Sequence, residues 1–189
     1  MSALRIVVIG GSAGSLEVIL QIINGIPKNP NAVFIIVVHR RNDKDSILEN
    51  LLSYKALLPV KEVEDKEPIV NNTIYLAPPD YHLLVENENT FSLDSSEKVH
   101  FCRPSIDVTF ESVSETFKSK VIAVLVSGAN ADGAQGLLAT RRAGGHTIAQ
   151  NPATAEVGFM PAQAINLQAA IDVLDAEQLL LRVISLLQN

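Results

Sequence analysis

R-I-V-V-I-G-G-S-A-G-S, residues 5–15, runs from an apolar strand through a glycine turn into a helix-like stretch, Leu16 to Ile23. Arg5 to Ile9 reads as a buried strand. Gly10-Gly11-Ser12-Ala13-Gly14 reads as the turn after it. Such a turn has three uses. It can cradle a phosphate on backbone N–H groups at a helix N-terminus. It can be G-x-S-x-G, which lifts a nucleophilic serine clear of a sheet. Or it can simply be a tight connection that only glycine fits.

The next elements favour an α/β fold. Gly25-Ile26-Pro27 stops the first helix, and Ala32 to Val38, A-V-F-I-I-V-V, is a β-branched run suited to a strand buried on both faces. Strand, helix and strand make a right-handed βαβ unit, so both strands end at one edge of the sheet. His39 follows the second strand there. Asn42 to Asp45 can cap a helix from Ser46 to Tyr54. Short strands are expected at Pro59–Glu64 and Thr73–Ala77, then an antiparallel hairpin from His82–Val85 and Thr90–Leu93 added to the sheet. A helix opening at Arg103-Pro104-Ser105 and ending near Phe117 leads to a strand, Val121–Val126, and to the loop S-G-A-N-A-D-G-A. Further elements are a helix to Arg142, a strand at His146–Gln150, a helix at Met160–Leu167, a strand at Ala170–Val173 and a helix capped by Asp175. The pattern predicts a doubly wound, mainly parallel sheet flanked by helices, with a small antiparallel hairpin and one domain over residues 1–189.

Composition narrows the function. A net charge of -6 argues against nucleic acid, and Arg40-Arg41 is too small a basic cluster to reverse that. Cys102 is the single cysteine, so neither a disulfide frame nor a cysteine zinc site is expected. No apolar run approaches the roughly 20 residues of a membrane span, and no signal sequence precedes the first strand. A soluble, cytoplasmic protein without membrane insertion is expected.

Ligand sites in open α/β sheets lie at the carboxyl ends of the strands. Three such ends carry Ser12, His39 and Asp132. An imidazole can take the serine proton, and a carboxylate can hold the imidazole in the right tautomer. The helix after Ser12 would aim N–H groups at an oxyanion. Each residue also has a plainer use: Ser12 as a helix cap, His39 as a strand-end histidine, Asp132-Gly133 as a turn. A P-loop lysine is missing. The second strand ends in His39-Arg40-Arg41 rather than an acid, so a Rossmann-like site would at best take the 2′-phosphate of NADP. The order serine, histidine, aspartate also differs from that of α/β-hydrolases.

The blocks V-I-G-G-S-A-G-S, V-V-H-R, Y-L-A-P-P-D-Y-H, H-F-C-R-P-S-I-D-V-T-F, V-S-G-A-N-A-D-G-A-Q-G and T-I-A-Q-N-P-A-T-A-E-V-G-F-M-P-A-Q-A-I resemble the catalytic domain of the chemotaxis protein-glutamate methylesterases, CheB. The resemblance implies a serine hydrolase that demethylates glutamate γ-methyl esters on the cytoplasmic helices of methyl-accepting chemoreceptors and can deamidate glutamines there. It implies Ser12 as nucleophile, His39 as base and Asp132 as orienting acid, with no metal or organic cofactor. Family members usually carry a receiver domain. None is expected in this chain, so a receiver protein acting in trans is the corresponding partner and the chain alone is expected to be basally active. Ala13 and Ala129 replace the family's usual threonine and methionine, which leaves a catalytically weak receptor-binding module of the same fold as the alternative. His82, His100 and His146 are expected to be structural. The acidic chain predicts that moderate salt leaves turnover on a glutamate-rich substrate unchanged or raises it, whereas a steep loss with salt would reveal an attractive patch around Arg40, Arg41 and Arg103.

Overall fold

The computed structural model describes residues 4–40 and 47–188. Its main sheet contains β1 (Arg5–Gly11), β2 (Ala32–Val38), β3 (Val60–Glu62), β4 (Ile74–Leu76), β7 (Val121–Leu125), β8 (His146–Gln150) and β9 (Asp172–Leu174). All neighbours are parallel, in the order β3-β4-β2-β1-β7-β8-β9. The chain winds outward from β1 through β2 and then returns to β7 on the other side. The carboxyl ends of β1 and β7 therefore flank the topological switch point.

Strand alternation builds two cores. Ile6, Val8, Val33, Ile35 and Val37 face one side of the sheet, under α3 (Ile106–Phe117), α4 (Ala134–Arg142) and α5 (Phe159–Asn166). Val7, Ile9, Phe34 and Ile36 face the other, under α1 (Leu16–Asn24), α2 (Ile47–Lys55) and α6 (Ala176–Leu187). All seven β2 residues are buried, which explains its uninterrupted apolar run. On α1, Val18, Ile19, Ile22 and Ile23 form the buried face; on α6, Leu179, Val183 and Leu187 repeat every fourth residue. Burial of each large aliphatic side chain contributes about 1.5–3 kcal/mol.

Four sequence expectations change in detail. The hairpin of β5 (His82–Glu86) and β6 (Thr90–Asp94) is a separate two-stranded sheet. β4 already has β2 and β3 on its two sides, so the hairpin has no edge to join there. It instead buries Leu83, Val85 and Phe91, with the Phe91 ring edge-on to Tyr75 at 4.7 Å. Gly10 and Gly11 are strand residues rather than turn residues, in register with Val37 and Val38 of β2. Gly10 is needed for clearance, because a Cβ there would lie 2.4 Å from the Ile106 side chain. Pro104 precedes α3 instead of entering its first turn, and Ser105 is the N-cap, accepting from the Val108 amide. The last strand begins at Asp172, two residues later than its apolar pattern suggests. The expected cap at Asn42–Asp45 and the helix start at Ser46 lie outside the described residues.

Candidate active site

Ser12 leaves the end of β1 in a tight turn. Its N–H donates to the Ser127 carbonyl at 2.9 Å, and its carbonyl accepts from the Ser15 amide at 3.1 Å. Gly14 closes the turn at φ 73°, a conformation that suits glycine, and a Cβ there would press on Glu156 and Ser127. Ser15, not Ser12, is the N-cap of α1, and its side chain makes no capping bond. The Ser12 hydroxyl is thus left for another partner. That partner is His39, whose Nδ1 lies 3.1 Å from Ser12 Oγ.

His39 sits just past β2 and is mostly buried, its other ring nitrogen 2.7 Å from Asp132 Oδ2. An ionised carboxylate only accepts, so Nε2 carries the proton and Nδ1 presents its lone pair to Ser12. The sheet edge thereby joins Ser12, His39 and Asp132 into one chain of hydrogen bonds.

Asp132 is fully buried. Oδ1 accepts from Ser105 Oγ at 2.8 Å and from the Asp107 amide at 3.0 Å; Oδ2 accepts from the Ile106 amide at 2.7 Å as well as from His39. The carboxylate therefore caps the positive end of α3. Burial alone would raise its pKa, but the bonds from His39, the Asp107 and Ile106 amides and Ser105 outweigh burial and hold the acid below the usual range. Ser105 is a residue that sequence reasoning missed. S-I-D-V before an apolar helix signals a cap, but its bond to a residue 27 positions away carries no local signature.

Cys102 is also brought to the site. Its Sγ lies 3.4 Å from His39 Nδ1 and accepts from Asn130 Nδ2 at 3.3 Å. Burial raises the thiol pKa, which keeps it a poor nucleophile beside the serine. A tight turn delivers it. Val99 and Cys102 exchange backbone hydrogen bonds of 3.2 and 2.8 Å, while His100 and Phe101 between them have φ of 48° and 61°. Positive φ on such residues costs about 1–3 kcal/mol each and is typical of functional loops. Phe101 is left 95% exposed at the rim of an open cleft of about 390 Å³ that reaches His39.

Two of the remaining histidines have structural partners. His82 Nε2 meets the Glu97 carbonyl at 3.0 Å, and its Nδ1 accepts from the Ser105 amide at 3.1 Å. His146 joins Asp172 and Arg182 near the outer strand. His100 differs from expectation: its Nε2 is 3.3 Å from Asp107, beside Asp132. His39–Cys102–Asp132 and His100–Asp107–Asp132 are both spaced as ligand-capable clusters. Both depend on Asp132, whose oxygens already accept four hydrogen bonds, so a metal there would have to break them.

This arrangement can be compared with known proteins. The family model described as CheB methylesterase matches residues 7–183. The chain belongs to the CheB methylesterase family. A Thermotoga maritima protein-glutamate methylesterase/protein-glutamine glutaminase is 36% identical over 185 residues, covering 96% of this chain and 54% of the relative. The crystal structure of the Thermotoga maritima CheB methylesterase catalytic domain superposes with a TM-score of 0.92 at 35% identity, covering 98% of this chain and all of that one. A Leptospira interrogans protein, named provisionally for the same two activities, is 42% identical over 187 residues, covering 97% of this chain and 95% of the relative. The chain thus spans about half of the Thermotoga relative and nearly all of the Leptospira one. Its parallel sheet and separate hairpin are the CheB catalytic-domain fold, and no helix among the described residues is long and apolar enough to cross a membrane.

Proposed function

We propose that this chain is a protein-glutamate methylesterase in which Ser12 is the nucleophile, His39 the general base and Asp132 the residue that orients it. The hydrogen-bond chain from Ser12 Oγ through His39 to the buried Asp132 carries this reading. Ser12 Oγ attacks the γ-carbonyl carbon while His39 Nδ1 takes its proton. The Ala13 amide makes no hydrogen bond among the described residues and, with the N-terminus of α1, supplies donors for the oxyanion. Collapse of the tetrahedral intermediate expels methoxide, which leaves as methanol with the proton from His39. Water activated by His39 then hydrolyses the acyl-enzyme and releases glutamate. The same steps on glutamine release ammonia, which accounts for the second activity in the relatives' names.

The substrates are the cytoplasmic helices of chemoreceptors, the compartment is the cytoplasm, and residues 1–189 act as one catalytic unit without needing a receiver domain for basal turnover. The test is methanol release from methylated receptor membranes by the pure protein without a phosphodonor. Ser12→Ala should abolish release while leaving the melting temperature nearly unchanged, since its side chain caps no helix. Near wild-type turnover by the folded serine variant would end the triad assignment.

A further inference from the structure

The cleft beside His39 runs against the charge of the protein as a whole. The chain carries a net charge of -6, yet among the described residues the cleft is lined by Arg40, Lys98 and Arg103, with Asp80 as the one lining carboxylate. These cations come from the residues just after β2, the residue before the strained turn and the approach to α3, so no linear basic motif announces them. Their environments differ. Arg40 pairs with Glu62 and also reaches the Ala77 carbonyl. Arg103 Nη1 donates to the Ser95 and Ser96 carbonyls at 2.6 and 2.7 Å, contacts that hold the side chain without cancelling its charge. Lys98 is exposed and forms no salt bridge among the described residues. Among the described residues, the Nε atoms of Arg40 and Arg103 are buried without a hydrogen-bond partner. Buried guanidinium N–H groups are costly when unpaired, and clefts of one sign concentrate counter-ions.

We infer that this cleft is a specificity site that takes carboxylate side chains of the substrate polypeptide flanking the reacting ester. The inference rests on the methylesterase reading and names what that site recognises beyond the ester itself. A methyl ester is neutral and gives the cations nothing to bind. A glutamate beside it, including one freed by an earlier turnover, does. Lys98 and Arg103 meet such carboxylates directly, and exposed Phe101 covers the aliphatic stems of the same segment. The consequence is a preference for esters in acidic surroundings and a salt dependence opposite to that expected from net charge.

The experiment uses two helical peptides, each with one glutamate γ-methyl ester, flanked by glutamates in one and glutamines in the other. At about 20 mM salt the wild type should show kcat/KM roughly tenfold higher on the glutamate peptide, and about 300 mM salt should erase the difference. Lys98→Glu should bring the ratio to about one or below. Lys28→Glu makes the same change in net charge on an exposed lysine between α1 and β2, and should keep the ratio. Equal kcat/KM on both peptides at low salt, or a ratio that both variants change alike, would overturn the site. Binding of the demethylated peptides, read by fluorescence anisotropy, separates this inference from the activity. If neither ester is hydrolysed but the glutamate peptide binds in a Lys98-dependent way, the cleft stands and the methylesterase reading falls. If both esters are hydrolysed and Lys98 has no influence on rate or binding, the cleft falls and the methylesterase reading stands.

Discussion

Asp132 and Asp107 are two buried carboxyl groups at neighbouring helix ends, and their environments push them in opposite directions. Asp132 collects four donors, three of them from the α3 N-terminus and its cap, and stays ionised. Asp107 accepts from the Gly136 amide at 2.6 Å and faces His100. Burial, reinforced by the charge of Asp132, raises its pKa to about 6. Depth of burial therefore does not decide which acid is charged. The number of hydrogen bonds offered to the charged form does. The acid next to His39 is the one supplied with donors, as an orienting carboxylate requires.

The largest effect should come from exchanging that charge. Asp132→Asn should reduce kcat roughly 10⁴-fold by favouring the wrong histidine tautomer, whereas Asp107→Asn should cost less than about tenfold. Comparable losses in the two purified variants would erase the distinction.

Stability against pH comes next. Asp107 has a folded pKa above its unfolded one, so its contribution is fully present below about pH 4 and is lost as pH rises through about 6. Relative to Asp107→Asn, the wild type should lose on the order of 2–3 kcal/mol between pH 4 and pH 7 in denaturant titrations. Asp132 has the reverse sign: its contribution is present at neutral pH and is lost as pH falls through its lowered range. A gap between wild type and Asp107→Asn that stays constant with pH would show Asp107 to be an ordinary carboxylate.

A smaller loss is expected when one donor is taken from Asp132. Ser105→Ala should cost about 1–2 kcal/mol in chemical denaturation and roughly tenfold in kcat, because a buried charged acceptor loses a hydroxyl. The smallest effect should come from His100→Gln. His100 is half exposed, so removing its influence should move the Asp107 transition upward by only roughly a few tenths of a pH unit. A shift as large as that of the whole Asp107 effect would give His100 an influence on that titration equal to burial.

The sequence by itself determined the α/β architecture, the placement of nearly every element and the strand ends that carry Ser12, His39 and Asp132. Those signals are local: β-branched runs, helical spacing, breakers, and the rule that parallel strands end at one edge. Local patterns also misassigned Gly10 and Gly11 to the turn, since a glycine needed for clearance beside Ile106 reads the same as one needed for a bend. Tertiary structure alone decided what surrounds the three residues. Ser105 and the α3 amides reach Asp132 only because the helix docks end-on against the loop after β7. Cys102 reaches His39 only through the strained turn at Val99–Cys102. The cations were legible only in part, since Arg40 and Arg103 could be named as a candidate attractive patch and Lys98 could not. Arg40, Lys98 and Arg103 are scattered in a chain of negative net charge, and only the fold brings them around one cleft. Charge in a sequence adds as a sum, whereas a ligand meets it as a field that depends on distance and direction.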